Sequence, residues 1–92
     1  MNKEVLNKAI ETYGINAQLD MCFEEMAELM KEISKKKRGK DNHAELVEEL
    51  ADVYIMLKQL EIMCDVNPKE LHGNIYQKID RLKGRLENGR KN

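Results

Sequence analysis

Apolar residues recur along this chain at three- and four-residue intervals, the spacing of amphipathic helices rather than the alternation of strands. Few breaks interrupt them. The first periodic segment runs roughly from Lys3 to Tyr13 and closes at Gly14. The second runs from about Ala17 to Lys36, ends in the basic run Lys35-Lys36-Lys37-Arg38, and meets a turn over Gly39-Lys40-Asp41-Asn42. Asn42, with Glu45 three residues on, has the form of a capping box that starts a third helix reaching about Cys64. Asn67-Pro68 supplies an N-cap followed by proline at the first helical position. A fourth helix is expected from there to about Leu86, with about 87–92 left as a frayed tail.

The two middle segments, joined by a short turn, are expected to form an antiparallel helix hairpin. Both are apolar over much of their circumference. The third carries Leu46, Val47, Leu50, Val53, Ile55, Met56 and further apolar residues, too many for one face of a helix in solvent. Ninety-two residues cannot cover both helices fully. The expected fold is therefore all-α, a single domain over 1–92 with four helices per chain. Its central hairpin would pack against that of a second chain into a helical bundle, as a homodimer or homotetramer.

Composition agrees with helix and narrows the function classes. The chain is 36% charged, with one Pro, no Trp, one Phe and three Tyr. Its 16 basic and 17 acidic residues leave a net charge of −1, without the basic excess of a nucleic-acid binder, so no nucleic-acid partner is expected. Cys22 and Cys64 form no CxxC, and neither His stands near them in ligand spacing, which argues against structural zinc. Both thiols are expected to be reduced core residues. No apolar run is long enough to span a bilayer, and the N-terminus lacks the apolar centre of a signal peptide. A soluble, cytoplasmic protein without a membrane partner is expected.

The candidate chemistry lies in acids on the two middle helices. Glu25 and Glu28 stand three residues apart, as do Glu49 and Asp52. Residues so spaced on a helix lie about 60° apart around the axis, one above the other. Two such pairs brought together offer up to eight oxygens, a donor set suited to Mg2+ or Mn2+. Single pairs of this kind are common on solvated helix faces. Here Glu49 projects among Val53, Met56 and Leu60, and Glu25 borders the stripe of Cys22, Met26, Leu29 and Ile33. A carboxylate in such surroundings is costly to desolvate unless a cation or another partner compensates it.

With these residues in place, EEMAEL followed after a basic loop by EELADVYIML resembles the EExxE…ExxD signature of the MazG-like, all-α nucleoside triphosphate pyrophosphohydrolases. The resemblance covers roughly Gln18 to Leu60. It implies an oligomeric helical enzyme that uses Mg2+, with Mn2+ able to substitute, to cleave an NTP or dNTP to the monophosphate and pyrophosphate. Carried over by position, Glu25, Glu28, Glu49 and Asp52 are the metal ligands, holding ions that neutralise the phosphate chain and acidify an attacking water. Glu24 is the candidate for orienting or deprotonating that water. Gln18 is a candidate contact to base or sugar. Lys78-Ile79-Asp80-Arg81 resembles the family's Lys-aromatic-x-x-Arg element, so Lys78 and Arg81 are candidates for holding the triphosphate. Ile79 replaces the aromatic residue there, and Tyr76 stands where MazG-type members often carry Asn.

Other readings are weaker. A catalytically idle helical oligomerisation or interaction module is the alternative, though it has no need of four desolvated acids. A di-iron carboxylate bundle would need Glu-x-x-His motifs, and neither His43 nor His72 has Glu three positions before it. The run Lys35 to Lys40 reads first as a solvated helix end. No Ser/His/Asp or Cys/His grouping and no glycine-rich phosphate loop is present in the sequence.

Overall fold

A computed structural model describes residues 1–91 of the chain. Among them the structure is all-helical, with four helices and no strands: α1 Lys3–Tyr13, α2 Ile15–Lys37, α3 His43–Met63 and α4 Pro68–Lys91. α1 starts on Asn2, whose Oδ1 accepts from the Val5 N–H. Gly14 alone separates α1 from α2, at φ 90° and ψ 156°. Glycine populates that region readily and other residues do so only under strain. Its N–H caps α1 by donating to the Ile10 carbonyl, and its own carbonyl accepts from Gln18 N–H to begin α2, two residues before the expected Ala17.

α2 ends in a Schellman motif. Lys40 N–H donates to the Lys35 carbonyl and Gly39 N–H to that of Lys36, with Gly39 in the left-handed region at φ 80°. α3 ends the same way: Val66 N–H donates to the Glu61 carbonyl and Asp65 N–H to that of Ile62. Here the left-handed position, at φ 50°, is held by Asp65 rather than glycine. α4 begins as the sequence suggests, with Asn67 Oδ1 accepting from Lys69 N–H ahead of Pro68.

Three expectations need correcting. Asn42 precedes α3, but its side chain makes no cap; its Nδ2 donates instead to the Glu32 carbonyl and to Glu32 Oε1, both at 2.9 Å. A partner ten residues back in sequence has taken the amide from its local role. Cys22 is buried, but Cys64 sits exposed at the end of α3, where the chain turns away from the core. α4, expected to end at about Leu86, is helical through Lys91: Gly84 and Gly89 each cost about 1 kcal/mol in a helix interior, too little to end one rich in Leu, Arg and Lys. Asn92 lies outside the described residues.

α2 and α3 share the main contact, and α1 lies against both. Cys22 Sγ meets the Met56 carbonyl at 3.8 Å, Glu25 faces Glu49 and Asp52, and Glu32 meets Asn42. Later residues of α2 thus meet earlier residues of α3. The core is small: Leu6, Cys22, Val53 and Met56 are its buried apolar members, joined by buried Gln18, Glu32, Asn42 and Gln59. Much apolar surface is left outside it. Phe23, Met30 and Ile33 form an exposed row on α2, and Val47, Leu50, Tyr54 and Leu57 another on α3. Among the described residues α4 packs against none of the other three helices. The radius of gyration is 16.9 Å, against about 12 Å for a compact chain of this length. The accessible surface is 7751 Å², against about 5,500 Å² for a compact monomer of this mass. No helix among the described residues is long and apolar enough to cross a membrane.

Candidate metal centre

The buried side of α2 carries Gln18, Cys22, Leu29 and Glu32, and Glu25 stands at its edge, about 60° round from Cys22. The corresponding side of α3 carries Glu49, Val53 and Met56, with Asp52 on its flank. Where these sides meet, Glu25, Glu49 and Asp52 converge, with one carboxylate oxygen of each within 4.8 Å of the others. Glu25 and Glu49 are half-buried and Asp52 is exposed, so the cluster opens to solvent on the Asp52 side. Glu49 Oε2 is itself buried and has no hydrogen-bond partner.

The electrostatics follow from that crowding. Burial raises the pKa of Glu25 above the ordinary carboxylate value, and the charges of Asp52 and Glu49 raise it further. Burial also raises that of Glu49, with Asp52, Glu28 and Glu32 adding to the effect. Glu32, about two turns along α2, behaves oppositely: hydrogen bonds from Asn42 and from Lys35 Nζ (3.1 Å) hold its carboxyl below the usual range. The turn end of the α2–α3 contact therefore holds a compensated acid, while the group of three, lying between it and the Cys22–Met56 contact, has no ion pair among the described residues. Crowded oxygens, one of them orphaned, match the donor set that a hard divalent cation takes.

The remaining candidates are dispersed. Glu28 lies another 60° or so round α2 from Glu25, and its side chain is half exposed, paired with Lys31 Nζ at 3.4 Å. Its charge is still felt by Glu25 and Glu49. Glu24 is exposed on the solvent side of α2. Gln18 is buried, nearly two turns before Glu25. Lys78 and Arg81 stand on α4, which the structure does not bring to the carboxylates of its own chain. Lys58 is engaged by Glu61 at 3.5 Å.

Sequence reasoning missed the buried Gln59, whose Oε1 lacks a partner, and the Glu32–Asn42 couple. Gln59 falls among the apolar residues of α3 at the helical spacing of Met56, which was the available signal. The couple left no local signal, since it joins residues ten apart. The cluster shared by Glu25, Glu49 and Asp52 is thus the best-formed group of ionisable side chains among the described residues, and comparison of the chain with protein-family models, curated proteins and solved structures finds no match.

Proposed function

We propose that the chain is a magnesium-dependent nucleoside triphosphate pyrophosphohydrolase, converting an NTP or dNTP and water to the monophosphate and pyrophosphate. The structural observation that supports its cation site is the convergence of Glu25, Glu49 and Asp52 within 4.8 Å, with Glu49 Oε2 buried and unpartnered. Acids so placed repel one another, and a divalent cation relieves the repulsion while satisfying the orphaned oxygen. When bound, Mg2+ or Mn2+ would neutralise the phosphate chain and acidify a water for attack on it. Glu25, Glu49 and Asp52 would hold the ion.

Glu28 would complete the set by leaving Lys31. An exposed i,i+3 pair of that kind is worth at most about 1 kcal/mol, so little opposes the rotation. Glu24 would receive or orient a proton of the attacking water from the solvent side of α2, where its carboxylate stays accessible. Gln18 would meet the base or sugar, and Lys78 and Arg81 the phosphates. The reaction and these roles rest on the resemblance of EEMAEL…EELAD to the MazG-like enzymes; the acid geometry supports a cation site.

The working unit in this reading is a homodimer or homotetramer in the cytoplasm, with the antiparallel α2–α3 hairpins of two copies forming a bundle. The exposed rows on α2 and α3 and a surface about 2,200 Å² above that of a compact monomer support it. Release of pyrophosphate from a panel of NTPs and dNTPs with Mg2+ tests the activity, with Glu49→Gln and Asp52→Asn as controls. Activity in the wild type that both variants lack is expected. Equal turnover in all three proteins would move the site elsewhere, and no turnover of any nucleotide would remove the proposal.

A further inference from the structure

Three buried side-chain oxygens have no hydrogen-bond partner among the described residues: Asn42 Oδ1, Glu49 Oε2 and Gln59 Oε1. The Asn42 side chain is held to Glu32 through its Nδ2, and Glu49 belongs to the acid cluster. Gln59 has no such role. It is 4% exposed, and an unmet polar group in that position destabilises the fold where an apolar side chain of the same shape would not. A second buried amide, Gln18, stands on the facing helix.

The place of the two amides follows from helix geometry. Gln18 stands seven residues before Glu25 on α2, and Gln59 seven residues after Asp52 on α3. Seven residues make two turns less about 20°, so each amide shares a face with its acid, about 10 Å further along the axis. Because the helices run antiparallel with Glu25 against Asp52, both offsets point the same way and the amides fall at one level. Cys22 and Met56, which touch, lie between the acid level and the amide level. In the other direction the next polar pair, Glu32 and Asn42, is closed by its own hydrogen bonds. No hydrogen bond from Gln18 reaches Gln59 Oε1.

Chemistry narrows the ligand. A primary amide presents an acceptor and a donor side by side, the arrangement by which glutamine reads the edge of a nucleobase. Both amides are neutral and buried, so their level suits an uncharged polar edge and not a second phosphate or ion. A nucleotide whose phosphates sit at the acids holds its base one sugar further on, a separation comparable to the two-turn offset. Cover is thin at this level. α1 gives the core one residue, Leu6. A hollow of about 370 Å³, lined in part by Lys3 and Asn7 of α1 and by Lys58 and Ile62 of α3, lies beside Gln59 and is in the size range of small-molecule sites.

We propose that Gln59, with Gln18 facing it, reads the nucleobase of the substrate, its Oε1 accepting a hydrogen bond from an exocyclic amine. That the substrate is a nucleotide rests on the function proposed above; the amide level adds which part of it is read, and by which residues. A base bearing an amine is then preferred over its keto counterpart, whose oxygen would face Gln59 Oε1 and leave two acceptors unmet.

Two measurements test this. The first is the ratio of kcat/KM within the pairs dCTP and dUTP, and dATP and dITP, whose members exchange an exocyclic amine for a keto oxygen. The wild type should favour the amine member of at least one pair by about tenfold or more, and Gln59→Leu and Gln59→Met should bring that ratio close to unity. Both variants should keep or raise the Tm, since each removes an unmet buried group. A wild type without the preference, or variants that retain it, would overturn the proposal; a raised Tm with an unchanged ratio would leave Gln59 a packing residue only. The second measurement needs no turnover. Chains isotopically labelled at the glutamine side-chain nitrogens are titrated, in Mg2+, with dCMP, dAMP or pyrophosphate. The side-chain amide signals of Gln18 and Gln59, assigned by their loss in Gln18→Leu and Gln59→Leu, should shift with a nucleotide and not with pyrophosphate. Signals that ignore both nucleotides, or respond equally to pyrophosphate, would overturn it. An inactive wild type would instead remove the function proposed above, and the amide signals would still decide whether a base binds at this level.

Discussion

Tyr54 stands in the middle of the exposed row on α3 and is 64% exposed in the single chain. A tyrosine side chain contributes about 150–250 Å² when buried, so covering the exposed part of this one removes on the order of 130 Å² from water. At about 25 cal/mol per Å², that is about 3 kcal/mol per copy. A two-fold interface contains the residue twice, so the association free energy at stake is about 6 kcal/mol. Tyr54→Glu forfeits this and adds two charges to be desolvated. The dissociation constant should rise by at least about four orders of magnitude, since every 1.4 kcal/mol is tenfold. Sedimentation equilibrium from nanomolar to high micromolar concentration reads the change. Circular dichroism should stay helical, because Tyr54 is not part of the buried core. A variant that associates as tightly as the wild type would refute the assignment of this row to the interface. A wild type that remains monomeric at the highest concentration would refute the whole surface-area reasoning.

Other outcomes follow from the same structure. The pKa values of Glu25 and Glu49 are raised in the folded chain, so without metal their contribution to stability is fully present below the unfolded carboxylate pKa and is lost as pH rises through the folded values. A divalent cation opposes that loss, and the rise in Tm on adding Mg2+ should be larger at pH 7.5 than at pH 5; equal shifts at both would place the binding elsewhere. Asp65→Gly relieves a left-handed non-glycine residue in the α3 cap and should raise stability by about 0.5 to 1 kcal/mol in urea unfolding. A loss of stability would show that Asp65 contributes more than its backbone angle. Gly14→Ala meets no neighbouring atom within 4 Å, so its cost is conformational alone, about 1 to 3 kcal/mol from the φ of 90°. An unchanged Tm would mean that the α1–α2 joint can adopt another geometry.

Much of the fold was legible because the breaks are chemically explicit. Gly14, Gly39 and Asn67-Pro68 each end or start a helix for a local reason, and α1 and the start of α4 fall where those residues put them. The carboxylate cluster was legible in part. Helical phase brings Glu25, Glu49 and Asp52 to one place. It does not fix Glu28, because 60° of arc carries that side chain past the edge of the contact, where a neighbouring lysine claims it. The Asn42–Glu32 couple was invisible for the opposite reason: an Asn before a helix is consistent with a cap, and only the packing of α2 on α3 supplies the competing acceptor. The separation of α4 also escaped, since an amphipathic row says that a helix has a partner without saying which chain provides it.

The central claim is that Glu25, Glu49 and Asp52 hold a divalent cation, and the most direct test is to titrate the protein with Mn2+ and follow the electron paramagnetic resonance signal of the free ion. The cluster predicts saturable loss of that signal in the wild type, competition by Mg2+, and at least tenfold weaker binding in Glu49→Gln. A wild type that leaves the signal untouched, or a variant that binds as well as the wild type, would contradict it.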